Sequence, residues 1–223
     1  MDATTIISTI DQIHERFENP PILRQHQKRV AAVCAFIADH WHGPAIDKDN
    51  LIAAALVHDM GNITKADFDD EKTQRPLMGE QEWARIDYWR DVQRRVFERY
   101  GREHHAATHA MLDELGVDDA IRTTADFTGF HNSERAAAEG TWEGRILTYA
   151  DVRCSPTGVV SMRDRFAEGF IRYQKRDTEG LLSADGDFYR EQFALVERMV
   201  GEHLDVPVSA ITDASVEQYF ASL

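Results

Sequence analysis

His58 and Asp59 stand near the end of LIAAALVHDMGN, residues 51–62, where seven apolar residues in a row lead directly into an imidazole and a carboxylate. Neighbouring residues on a helix project about 100° apart, so the pair can approach one cation from adjacent directions. Alone, such a dipeptide is most simply a surface His and Asp closing a core helix. It has company: His26 lies upstream in RQHQKRVAAVCAFIADHW, and downstream come His104 in YGREHHAATHAML, His131 in FTGFHNSE and Asp151 in RILTYADVRCSP. Neutral imidazoles and carboxylates suit iron, manganese, nickel, cobalt or zinc, and ligand type does not choose among them. Four histidines and two aspartates are too many for one catalytic ion that keeps an open position; they fit two ions sharing a carboxylate. Such a pair deprotonates a bridging water near neutral pH and stabilises charge on a phosphoryl oxygen.

The order His, His-Asp, His, His, Asp resembles that of the HD-domain superfamily of metal-dependent phosphohydrolases, and the signature runs from residue 23 to about residue 156. The resemblance implies an all-α HD-domain helical bundle with extra terminal helices. It also implies about two divalent metals per chain, iron or manganese ahead of nickel, cobalt, magnesium or zinc. One would be held by His26, His58, Asp59 and Asp151, the other by Asp59, His104 and His131, with Asp59 as the catalytic bridge. Within EHH, His104 matches the family stretch because it stands eight residues before Leu112. His105 and His109, one helical turn apart, form a rival pair.

Many relatives carry a basic residue after the first His, which makes Arg29 a candidate catalytic and substrate contact; a solvated Arg on an exposed face is the other reading. Relatives also carry Lys directly after the glycine, where this chain has Asn62, so Lys65 is the candidate to reach back if it is not simply solvated. Arg153 and Arg165, in the arginine-rich stretch after Asp151, could bind substrate phosphate or face water. The implied reaction is attack of a metal-activated hydroxide on a small phosphorylated metabolite, a nucleotide foremost. The GYP continuation of cyclic dinucleotide phosphodiesterases is missing from NSERAAAEGTWEG. Two readings of other classes stay open: a diiron oxygenase of a small polyol or phosphonate, and a non-catalytic metal- or nucleotide-binding module.

Helices must position these ligands. Apolar residues recur near every 3.6 positions, and the spacing predicts helices over residues 4–17, 22–40, 47–58, 80–99, 103–115, 118–130, 142–154, 159–176, 186–204 and 209–220, the last capped by Ser209. That is an all-α chain of about eight to ten helices, with the charged stretch 63–80 as a loop over the site. Gly61 is expected to let the chain turn away after His58-Asp59, and Gly116 to close the helix carrying His104. Asp151 sits among Leu147, Ala150 and Val152, where a carboxylate is costly unless something positive holds it.

At 223 residues the chain fits a single domain over 1–223, with a C-terminal helical extension over 157–223. A formal net charge of -14 repels polyanions, so long nucleic acid is disfavoured and a small anionic phosphorylated substrate needs a local basic pocket. The longest apolar run, seven residues, is far short of a membrane span. The amino-terminal stretch lacks a basic segment followed by an apolar block, so no signal peptide and a cytoplasmic location are expected. Cys34 and Cys154, both on predicted helices, read as two buried thiols. A homo-oligomer stays open.

Overall fold

Residues 51–57 are apolar on every face of a helix, so the helix that carries them must be enclosed on every side. The computed structural model, which describes residues 1–173 and 184–223, shows that enclosure. Helices α1 (Ala3–Arg16), α2 (Pro21–Asp39) and α3 (Lys48–Val57) open the chain. After a 3-10 turn at Asn62–Lys65 come α4 (Glu71–Met78), α5 (Glu80–Trp83), α6 (Ile86–Tyr100), α7 (His104–Leu115) and α8 (Asp119–Ala125). A second 3-10 turn, Phe130–Asn132, leads into α9 (Ser133–Glu139) and α10 (Trp142–Arg153). The chain continues through a two-stranded hairpin, β1 (Cys154–Ser155) and β2 (Gly158–Val159), to α11 (Met162–Tyr173), α12 (Ala184–Gly201) and α13 (Asp213–Ala221). Helix α3 is the centre: α1, α2, α8 and α10 all pack on it, and every residue from Leu51 to Val57 is buried. Each of its larger aliphatic side chains contributes about 1.5–3 kcal/mol on burial.

Local chemistry sets the ends of the helices that matter for the site. Pro21 opens α2, where its missing N–H is one no helix would bond. The Asp47 carboxylate accepts from the Asn50 amide at 2.9 Å and starts α3. Gly116, at φ 62°, closes α7.

The all-α expectation holds, with thirteen α-helices among the described residues in place of eight to ten. The excess has identifiable causes. Stretch 63–80, expected as a loop, contains α4, because Asp70 caps it by accepting from the Thr73 amide at 3.3 Å. The helix expected over 80–99 divides into α5 and α6 at Ala84-Arg85, a break no low-propensity residue marks. The helix expected to reach residue 130 ends at Ala125, and Gly129 at φ 104° turns the chain into the 3-10 turn that holds His131. Cys154 begins β1 and does not lie on a helix; it is nonetheless a buried free thiol, as is Cys34. Thr212, through a reciprocal cap with Ser215, starts α13 in place of Ser209. Of the helix expected over 159–176, positions 174–176 lie outside the described residues. Among the described residues no helix is long and apolar enough to cross a membrane.

Candidate metal centre

Three helices deliver four ligand atoms to one point. His26 comes from the first turns of α2, His58 caps α3 with Asp59 directly after it, and Asp151 projects from α10. The His26 Nε2 lies 3.1 Å from Asp151 Oδ1 and 3.5 Å from Asp59 Oδ2. The His58 Nε2 is 3.5 Å from Asp59 Oδ2 and 3.6 Å from Asp151 Oδ1. All four atoms fall within 4.8 Å of one another.

The electrostatics of the group are those of a cation site. Burial alone would make the His58 imidazolium unfavourable, yet the neighbouring Asp59 and Asp151 carboxylates outweigh it and raise its pKa to about 9. His26 is raised in the same way. Asp151, which burial would push up, is held well below the usual carboxylate range by the two imidazoles. Positive charge is what these carboxylates call for, and this answers why Asp151 tolerates its apolar neighbours.

A divalent metal fits the same atoms. The His58 Nδ1–H donates to the Ala55 carbonyl at 2.8 Å, so a metal that displaced the Nε2 proton would meet a ring already held in the ligating tautomer, with Nε2 aimed at the cluster. That Nε2 is buried and has no hydrogen-bond partner. An orphaned buried nitrogen beside two carboxylates and a second imidazole is the donor set of a transition-metal centre.

Gly61 positions the next ligands, for a reason other than the expected turn. Its φ of -84° is open to any residue. What requires glycine is proximity: a Cβ there would stand 2.5 Å from the His104 carbonyl oxygen and 2.6 Å from the Thr108 amide. The Gly61 N–H donates to Thr108 Oγ1 at 2.9 Å, so α7 lies directly against the end of α3.

That contact sets Glu103, His104 and His105 beside the first cluster as a second grouping able to hold a metal. Glu103 caps α7 by accepting from the His105 and Ala106 amides, at 3.0 and 2.6 Å. Burial, helped by the charges of Lys65 and His105, pushes His104 down to about 4 and keeps it a neutral imidazole. His109 turns away, its Nε2 3.1 Å from Asp126 Oδ1. His131, expected to join His104, is not brought to either cluster: in its turn Phe130 takes the inward direction, and His131 is exposed with its ring 5.2 Å from that of Tyr189.

Both clusters open into a cavity of about 680 Å³ bounded by the amino end of α2, the segment through α4, the start of α7, and α11. Among the described residues, Lys65, Arg102 and Arg165 are the lysine and arginine side chains on its wall. Arg165 pairs through Nη1 with Glu168 at 2.8 Å, while its Nε is buried without a partner. Arg29 lies off the wall and donates to the Ser155 carbonyl at 3.4 Å. Arg153, a candidate to bind substrate, is instead a buried structural residue that donates to the carbonyls of Val160, Val208 and Ile211, tying the C-terminal segment to α10. Glu103 and Arg102 join the site without belonging to the expected ligand order; the sequence signal for Glu103 is an acid directly before paired histidines.

A family model described as HD domain matches residues 23–154, more than half of the chain. No curated protein and no solved structure matches it significantly.

Proposed function

The chain belongs to the HD domain family, and from that premise we propose that it is a metal-dependent phosphohydrolase acting on a small phosphorylated metabolite, a nucleotide foremost. The observation that carries the reading is the convergence of His26, His58, Asp59 and Asp151, with an orphaned buried nitrogen, at the floor of a cavity whose wall carries Lys65, Arg102 and Arg165. His26, His58, Asp59 and Asp151 would hold one divalent ion, and His104 with His105 and Glu103 would hold a second. Iron or manganese is favoured. When bound, such ions supply Lewis acidity and a low-pKa water at neutral pH.

The chain's own residues do the rest. Asp59 orients the centre and takes up charge beside it, and the Ala55 carbonyl locks His58 in its ligating tautomer. Arg165 and Lys65, both on the cavity wall, bind and orient a phosphoryl group and neutralise charge on its oxygens. The apolar lining limits the water that reaches the reacting phosphorus.

A panel of nucleotides and phosphate esters with manganese tests this. Metal-dependent release of inorganic phosphate that Asp59→Ala abolishes supports the reading. Release that persists in Asp59→Ala, or none from any ester, removes it.

A further inference from the structure

The family match ends at residue 154, yet one wall of the cavity is built largely from residues beyond that point. Among the described residues, α11 contributes Arg165, Phe166 and Gly169 and α12 contributes Phe193, while Phe130 meets them from the turn before α9. The three rings form one aromatic surface, with centroids 5.6 Å apart for Phe130 and Phe193, 5.8 Å for Phe166 and Phe193, and 6.4 Å for Phe130 and Phe166. Phe193 is buried and braces the other two. Phe130 and Phe166 are only half-buried, so each leaves apolar ring area facing the cavity.

Half-open rings on a ligand-sized cavity have a chemical meaning. A volume of about 680 Å³ is far more than a phosphate group fills and lies within the range of small-molecule sites. Arg165 is the one polar side chain that α11 and α12 bring to this wall among the described residues, and it directly precedes Phe166 on α11. A cation next to an aromatic surface suits a molecule with an anionic head and a flat apolar body.

We propose that this wall, supplied by the C-terminal extension, selects phosphate esters whose leaving group carries a planar ring, recognised by its face and area and not by hydrogen bonds to its edge. The inference rests on the phosphohydrolase reading. In the hydrolysis it serves, the phosphorus–oxygen bond to the ring-bearing alcohol breaks, a water oxygen takes that place on phosphorus, and a proton from the water leaves with the alcohol. A leaving group with no ring to lay on them, such as glycerol or a sugar without a base, would set hydroxyls against Phe130 and Phe166 with no partner for them.

The test is equilibrium binding of 1-naphthylphosphonate and methylphosphonate, which share a head that cannot be hydrolysed, to the manganese-loaded full chain. The naphthyl compound should bind at least about tenfold more tightly, the scale of burying one ring face. Phe166→Ala should bring the ratio close to one with methylphosphonate affinity and circular dichroism unchanged. Equal affinities for the wild type overturn the inference, as does a ratio that survives both Phe166→Ala and Phe130→Ala. Adenosine and 1-naphthol as competitors tell a nucleobase from a hydrocarbon ring as the occupant; displacement by either supports the wall, and displacement by neither overturns it. Phosphate release from 1-naphthyl phosphate is scored separately. Release without ring preference overturns the wall alone, whereas ring preference without release overturns the reading beneath it.

Discussion

His26 Nε2 stands 3.1 Å from Asp151 Oδ1, joining helices from opposite ends of the family-matched region. The contact brings the last ligand of the cluster onto the first. With a cation in place, this closure links metal binding to folding, because the unfolded chain cannot assemble the four atoms. Wild-type protein should therefore gain about 2.7 kcal/mol of stability at a manganese concentration a hundredfold above Kd. Asp151→Ala, which keeps only the Glu103, His104 and His105 grouping, should show a clearly smaller gain at the same concentration in a thermal-shift titration. An equal gain in the variant would detach Asp151 from the metal.

Metal stoichiometry should separate the two groupings. The wild type is expected to hold about two ions per chain, as in dinuclear hydrolytic sites. His104→Ala should lose one of them. His131→Ala should lose none, because that side chain is exposed and packs beside Tyr189. Elemental analysis of protein purified without oxygen reads the count directly, and a metal loss in His131→Ala would show that its turn rearranges on loading.

Gly61→Ala should destabilise the fold by about 1–3 kcal/mol, the usual cost of forcing an atom into filled space. The obstacle is backbone, the His104 carbonyl oxygen and the Thr108 amide, so no side-chain rotation relieves it. Urea denaturation measures the loss. A neutral result would mean that α7 can draw back from the end of α3.

His14, outside the clustered ligands, sets a pH dependence of its own. It is buried on α1, and burial pushes its pKa down to about 4 from 6.5. The folded chain keeps it neutral while the unfolded chain takes a proton, so its contribution is complete above about pH 6.5 and drains as pH falls through 4. The drop is roughly 3 kcal/mol across that window. His14→Gln should flatten the stability profile there, and an unaltered slope would show that other groups govern it.

The helical class and the convergence of His26, His58, Asp59 and Asp151 were legible because each ligand lies on a helix or directly after one, and the wholly apolar α3 announces its own burial. Other features depend on contacts that local pattern does not carry. Whether His131 faces in or out turns on Gly129 at φ 104° and on Phe130 occupying the inward direction. Arg153 looks like any arginine near a site until the Val208 and Ile211 carbonyls come back to it from the C-terminal segment. Gly61 reads as a turn residue, while its real constraint is the backbone of α7. Phe166 and Phe193 resemble ordinary core positions of amphipathic helices, and only the packing of α11 and α12 sets them on the cavity.

Arg165 and Arg29 should differ in their effect on substrate binding. Arg165 lines the cavity, whereas Arg29 donates to Ser155 off its wall. A charge-assisted hydrogen bond to phosphate is worth about 1.5–3 kcal/mol, so Arg165→Ala should raise KM by roughly 10- to 100-fold. Arg29→Ala should change it little, and steady-state kinetics on one ester decides between them.

The central claim is that the clustered ligands serve hydrolysis and not oxygen chemistry. The most direct measurement follows inorganic phosphate released by manganese-loaded protein under nitrogen, beside substrate-dependent oxygen uptake by the iron-loaded form, each with Asp59→Ala as control. Phosphate released without oxygen, lost in Asp59→Ala and accompanied by no oxygen uptake, is the expected result. Oxygen consumed with substrate and no phosphate released would contradict it and assign the same ligands to a diiron oxygenase.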